Sequence, residues 1–282
     1  MPLPGRAPLM LGERTLVMGI INVTPDSFAD GGQRVDPERA LDDALRMIED
    51  GADLLDIGGE STRPGAEPVP EEEELRRVLP VVERIAKRVT VPISIDTYKS
   101  AVARQAIDRG AVIVNDVSGF AYDPTLAQVV AATGAAVVLM HNRGRSREMY
   151  REAAYTDVAG EIASELASTV ARATAAGVPH EAIVVDPGVG FAKRAAQSFE
   201  VLARLDRLAP LDRPILIGPS RKSFLKHAIG DRPVTDREWA TAAAVTASVL
   251  GGAHIVRIHG VKEMVDVVRV ADRLRAAHSA LS

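Results

Sequence analysis

Eight short, almost unbroken apolar runs rich in Val, Ile and Leu recur along the chain, and a longer stretch of helical spacing follows each. The runs cover residues 16–22, 54–57, 93–96, 112–116, 136–141, 183–186, 215–220 and 255–259. They are continuous rather than alternating, the pattern of parallel strands covered on both faces. The intervening helices are expected over 37–50, 71–88, 100–109, 124–133, 157–176, 199–208, 238–250 and 262–277. Strict βα alternation with eight strands predicts an α/β fold of the closed (β/α)8 type, a TIM barrel, over an open doubly wound sheet. An open sheet would also carry a Gly-rich turn after its first strand, where this chain has Asn22-Val23-Thr24-Pro25-Asp26. No linker or repeat array interrupts the rhythm, so all 282 residues read as one domain. Residues 8–13 are expected to form a hairpin arm closing the barrel bottom.

Composition removes several function classes. There is no cysteine, so disulfides, thiolate catalysis and Cys-ligated metals are excluded. No apolar run reaches the ~18 residues needed to cross a bilayer. Residues 1–10 lack a signal-peptide core, which favours the cytoplasm. A net charge of -4 argues against nucleic acid as a partner, so any bound anion must meet a local basic cluster.

In a barrel of this kind the strand C-termini form the active-site mouth. Nearly every run here ends on a polar residue: Asn22, Asp56, Asp96, Asn115 with Asp116, His141, Asp186, then Ser220-Arg221-Lys222-Ser223, and Arg257 with His259. A single such Asp or Asn is as easily a helix cap or a turn residue. Eight in a row exceed what capping explains. Asp96, Asn115 and Asp186 offer the hydrogen-bonding groups that would read a flat amino-pyrimidinone edge. Any one of them could instead orient a neighbour. Arg221, Lys222, Arg257 and His259 form a cationic set on strands seven and eight, where barrels often place phosphate. Arg257 and His259 share a strand face, whereas Arg221 reads better as the partner of an acidic neighbour.

Two loops, 22–36 and 58–70, exceed the roughly 2–6 residues usual for βα connections, and long loops beside a barrel mouth tend to bind ligands. Their apolar Phe28 and their Arg63 fit that reading. Other signals are weak. Gly188-Val189-Gly190-Phe191-Ala192-Lys193 lacks the third glycine of a dinucleotide loop. The six histidines have no metal-ligand spacing, and Glu71 to Glu74 read as a solvated, dipole-matched helix start.

These residues in their order resemble the dihydropteroate synthase family. The resemblance rests on Asn22-Val23-Thr24-Pro25-Asp26-Ser27-Phe28 with Asp30-Gly31-Gly32, and on Asp56-Ile57-Gly58-Gly59-Glu60-Ser61-Thr62-Arg63-Pro64-Gly65. It continues through Ser94-Ile95-Asp96-Thr97, Val114-Asn115-Asp116-Val117-Ser118-Gly119, Met140-His141 and Asp186-Pro187-Gly188-Val189-Gly190-Phe191. Ser220-Arg221-Lys222-Ser223 and Arg257-Ile258-His259 complete it, so it covers almost the whole barrel. It implies condensation of 6-hydroxymethyl-7,8-dihydropterin diphosphate with p-aminobenzoate, giving 7,8-dihydropteroate and pyrophosphate in folate biosynthesis. It further implies that Asp96, Asn115, Asp186 and Lys222 hold the pterin. Asn22 would hold Mg2+ with the diphosphate, and Arg63, Arg257 and His259 the anion. Thr62, Pro64, Phe191 and Ser223 would meet p-aminobenzoate, and the protein would be a homodimer. Catalysis would fall mainly to Lys222, Asp96, Arg257 and Arg63, by an SN1-like loss of diphosphate.

The chain departs from the family at Asn142, where Met is frequent, and at Ala192, where Gly is frequent. It also differs at Gln197-Ser198 and at Gly260. Two rivals share parts of this pattern. A corrinoid-linked methyltransferase binding methyltetrahydrofolate would not need Ser220-Arg221-Lys222, and a silent pterin-binding paralogue would not keep Lys222, Arg63 and Asn22. A Schiff-base aldolase using Lys222 is a third.

Overall fold

The computed structural model describes residues 1–24, 36–62, 65–145, 150 and 153–279. Eight parallel strands form the sheet: β1 (Leu16–Asn22), β2 (Leu54–Gly58), β3 (Ile93–Asp96), β4 (Ile113–Asp116), β5 (Ala136–Met140), β6 (Ile183–Asp186), β7 (Leu216–Ile217) and β8 (Ile255–Ile258). Their spatial order is β6-β5-β4-β3-β2-β1-β8-β7. A parallel bridge from Val185 to Ile215 joins the two end strands and closes the barrel. Strands β2 to β6 are buried throughout, as their continuous apolar sequences require. The run at 215–220 pairs only from Ile215 to Ile217, because Pro219 has no N–H to give to a ladder.

Helices α1 (Pro37–Glu49), α2 (Glu71–Ala86), α3 (Ser100–Ile107), α4 (Leu126–Thr133) and α5 (Val158–Ala175) follow the first five strands. After them come α6 (Ala195–Ala203), the single turn α7 (Lys226–Ile229), α8 (Glu238–Leu250) and α9 (Val261–Ser279). Local chemistry sets their starts. Asp36 caps α1 by accepting from the Glu38 N–H, with Pro37 in the first turn. Helix α6 begins four residues earlier than the apolar spacing places it. The Gln197 side chain accepts from the Arg194 N–H and fixes the start there, and the chain continues past Ala203 as a 3-10 turn, Leu205–Leu211.

The expected hairpin arm is absent. Prolines 2, 4 and 8 cannot serve a strand ladder, and residues 1–9 instead fold back on themselves. The Met1 ammonium donates to the Leu9 carbonyl and the Leu9 N–H to the Met1 carbonyl, each at 2.8 Å. Arg6 then binds the Thr90 carbonyl at 2.7 Å, tying this loop to the segment before β3. The acidic start of α2 is not wholly solvated either: Glu74 is 1% exposed and pairs with Lys99.

Candidate active site

Parallel register gathers the strand ends at one mouth. Ile20 pairs with Asp56, Gly58 with Asp96, and Asp96 with Asn115. From β8, Arg257 reaches across the barrel. Its Nε donates to Asp56 Oδ2 at 2.5 Å and its Nη2 to Asp96 Oδ2 at 2.7 Å. Asn115 Nδ2 donates to the same Asp56 oxygen at 2.9 Å. The acidic groups of β2 and β3 and the cationic Arg257 of β8 therefore interlock. A guanidinium beside two buried carboxylates is the arrangement that offsets their desolvation. Burial raises the Asp96 carboxyl to about 7, against the opposing pull of Arg257. Burial would lower Arg257, but Asp56 and Asp96 outweigh it and hold it above its ordinary value.

Asp56 carries no role in the sequence reading beyond ending a strand, yet it is the hub of this network. Its Oδ1 is buried without a hydrogen-bond partner among the described residues. Because Asn115 Nδ2 is committed to Asp56, the group this side chain has left to offer is its carbonyl oxygen, an acceptor.

The second half of the mouth is built by the β6–α6 loop and the residues after β7. Asp186 Oδ1 accepts from the Gly188 N–H at 2.7 Å. A Cβ at Gly188 would collide with the His141 carbonyl oxygen, so only glycine fits there. Lys222 Nζ donates to the Val189 carbonyl at 2.6 Å and lies 4.4 Å from the centre of the Phe191 ring. Burial lowers the Lys222 ammonium to about 8, with Asp186 opposing. Burial likewise raises Asp186, with Lys222 opposing. His259 is fixed between Ser220 Oγ, 2.9 Å from its Nδ1, and Asn22 Nδ2, 3.4 Å from its Nε2. Arg221 pairs with Glu238, as its bland reading holds, and takes φ +57° while doing so.

A cavity of about 320 Å³ opens over these groups. Asn22, Thr62, Asp96, Phe191, Lys222, Ser223, Arg257 and His259 line it. Asn115 and Asp186 do not line it but stand buried beneath, 4% and 5% exposed. Arg63 and Pro64 lie outside the described residues, as does most of the 22–36 loop including Phe28. Glu60, which the sequence reading leaves without a role, lines the cavity wall. Its carboxylate accepts from Tyr98 Oη at 2.8 Å, Lys99 Nζ at 2.6 Å and the Val69 N–H at 3.1 Å, clasping the β2–α2 loop.

The departures also find physical places. Ala192 holds φ +47°, a backbone that favours the more frequent glycine. Ser198 accepts from the Gly190 N–H at 3.1 Å. A side chain at 260 would meet Glu263 and Glu238, so an aspartate there would face two carboxylates. Asn142 Nδ2 lies 3.3 Å from Tyr122 Oη.

No group of three His, Asp or Glu residues arranged for a metal occurs among the described residues. Asn22 lines the mouth and, with its Nδ2 toward His259, has one neutral amide oxygen to offer. That fits an ion such as Mg2+, which takes most of its ligands from phosphates and water.

Residues 18–259 match the pterin binding enzyme family. The chain is 43% identical over 274 residues to dihydropteroate synthase of Synechocystis sp., covering 97% of this chain and 95% of that one. It is similar to Xanthomonas albilineans dihydropteroate synthase solved with 4-aminobenzoic acid, with TM-score 0.87, 42% identity and 94% of each chain covered. It is likewise similar to the Clostridium difficile dihydropteroate synthase solved in the presence of pteroic acid, with TM-score 0.89, 41% identity, and 94% and 98% covered. The sequence motifs, the barrel that brings them to one mouth and these near full-length matches agree: the chain belongs to the dihydropteroate synthase family of pterin binding enzymes.

Proposed function

We propose that the chain joins 6-hydroxymethyl-7,8-dihydropterin diphosphate to p-aminobenzoate, releasing pyrophosphate and forming 7,8-dihydropteroate in folate biosynthesis. The observation that carries this reading is a cavity lined by the Asp96 carboxylate, with Lys222 held against Phe191 in its wall and the acceptors of Asn115 and Asp186 buried at the neighbouring strand ends. An amino-pyrimidinone edge is rich in N–H donors and matches such a set. Relatives solved with 4-aminobenzoic acid and with pteroic acid support the same pair of substrates.

In this reading Asp96, Asn115, Asp186 and Lys222 hold the pterin. Arg257 and His259, with Arg63 by family resemblance, receive the diphosphate. Arg257 uses Nε and Nη2 for the two aspartates, and a guanidinium has five N–H donors, so donors remain for the anion. Asn22 would hold Mg2+, which supplies charge neutralisation of the leaving diphosphate. Thr62, Phe191 and Ser223, with Pro64 by resemblance, receive p-aminobenzoate.

The aromatic amine is neutral near pH 7, so its lone pair attacks without a general base. The C–O bond to diphosphate breaks first, the pterin ring delocalises the cation left on its methylene carbon, and the amine closes on that carbon. The bonded amine then sheds one proton to water. Fixed cationic donors aimed at the departing anion stabilise that charge separation. A secondary deuterium isotope effect well above unity at the methylene is expected, and one near unity would contradict this order of steps.

A homodimer belongs to the same reading, supported by the outer faces of α8 and α9, where Trp239, Leu250, Val270 and Leu274 are exposed. So does a cytoplasmic location, since a diphosphate ester does not cross a bilayer unaided. Among the described residues no helix is long and apolar enough to span a membrane.

The test is pyrophosphate release by the purified protein with Mg2+, the pterin diphosphate and p-aminobenzoate. Release that requires the amine and matches dihydropteroate formed is expected. No release above background, or release indifferent to the amine, would sink the assignment.

A further inference from the structure

Lys193 heads the large side chains buried almost completely, and the reading above gives it nothing to do. Its Nζ lies 2.9 Å from His141 Nδ1, 2.9 Å from the Phe191 carbonyl oxygen and 3.4 Å from the His141 carbonyl oxygen. Burial lowers this amine to about 7, with Asp186 opposing, and in its charged form the three acceptors match its three N–H donors. With Nδ1 accepting, the imidazole proton sits on Nε2 and is donated to Glu165 Oε2 at 3.0 Å. Glu165 is held in turn by Arg143. The carboxylate thus reaches the buried ammonium through a neutral imidazole. Burial, chiefly, keeps that imidazole neutral by lowering it to about 4.

What the ammonium holds is an unusual backbone. Gly188, Gly190 and Ala192 take φ +67°, +79° and +47°, so every second residue is left-handed. No sheet ladder supports this segment. Its alternate carbonyls are taken by two different lysines: Val189 by Lys222 and Phe191 by Lys193. Between these two anchors the Phe191 ring stands in the cavity wall.

We infer that Lys193 is a positioning residue for the second substrate: by pinning the Phe191 carbonyl it sets the ring that receives p-aminobenzoate. This rests on the assignment of that wall to p-aminobenzoate made above. Lys193 itself touches neither substrate and acts through Phe191.

Two variants and two readouts test it. Lys193→Met removes the tie, while Glu165→Gln weakens it from the partly exposed end of the chain of contacts, where folding is safe. Lys193→Met is expected to raise KM for p-aminobenzoate at least about tenfold, with KM for the pterin diphosphate held within about twofold. Glu165→Gln should shift the same constant in the same direction by a smaller factor. An equal rise in both constants, or an unchanged constant for the amine in either folded variant, would overturn the inference. Hydrogen exchange of the 188–193 amides gives a readout without turnover. Faster exchange in Lys193→Met, or in Glu165→Gln should the first not fold, supports the tie, and unchanged exchange refutes it. If the wild type makes no dihydropteroate, the substrate assignment fails while exchange still judges the tie.

Discussion

Two cavities of similar size lie at opposite ends of this barrel: about 320 Å³ at the mouth and about 340 Å³ near the start of β1 and β2. Both contain carboxylates and guanidinium groups. At the lower end the carboxylates Asp53 and Asp272 are committed to the fold. Arg14 grips both oxygens of Asp53, which also accepts from the Val17 N–H at 2.9 Å. Asp272 accepts from the Thr15 N–H at 2.8 Å, from the Thr15 hydroxyl at 2.9 Å and from Arg275 at 2.8 Å. These bonds tie β1 to its neighbours. At the mouth, by contrast, Asp56 Oδ1 is buried without a hydrogen-bond partner among the described residues, burial raises Asp96 and Asp186, and burial lowers Lys222. Volume does not separate a site from a seam. The balance of buried donors, acceptors and charges does.

The largest effect expected from breaking this contrast is at Arg257. Arg257→Met leaves Asp56 and Asp96 buried without their counter-charge, and should cost about 3–5 kcal/mol of stability as well as activity. Urea unfolding measures it, and a loss below about 1 kcal/mol would show that the interlocked network does not hold the mouth.

Lys222→Ala should lower pyrophosphate release by about 10–10² while the protein stays folded, the scale of losing one charged hydrogen bond to the pterin. A pH series sharpens it. Burial takes Lys222 from its ordinary 10.5 down to about 8. Activity that needs its charge should fall as pH rises through about 8. Between those two values the unfolded chain binds more protons than the folded one, so this group's contribution to stability rises with pH. The opposed trends, and their loss in Lys222→Ala, identify this lysine.

At the lower end, Asp53→Ala should cost about 1–2 kcal/mol, the cost of leaving its donors unpaired, with no change in turnover. Smallest of all, Ala192→Gly relieves a left-handed alanine at φ +47°. Because glycine also gains freedom in the unfolded chain, the net stabilisation should stay within about 1 kcal/mol. A clear destabilisation in denaturant titration would show that the Ala192 methyl packs more strongly than its backbone suffers.

The barrel was legible because its signals are local. Each buried strand is a continuous apolar run, and most boundaries fall within two residues of the sequence expectation. Failures arose where one side chain or one missing N–H decided the outcome: Gln197 moved the start of α6, and Pro219 cut β7 short. The candidate site was legible as a list of strand ends but not as a circuit. Arg257 and Asp56 are 201 residues apart, and nothing local to either announces their bond. Lys193 and Glu74 have the composition of surface residues, and only the packed structure shows them buried against partners 52 and 25 positions away. Phe28, Arg63 and Pro64, by contrast, lie outside the described residues and stand on the sequence alone.

The contrast between the two ends is tested most directly by titrating the pterin diphosphate into wild type, Asp186→Asn and Asp53→Ala and following binding by pterin fluorescence. The expected result is affinity weakened more than about tenfold in Asp186→Asn, the scale of a lost charged hydrogen bond, and unchanged in Asp53→Ala. Equal affinity in wild type and Asp186→Asn, or a loss confined to Asp53→Ala, would contradict it.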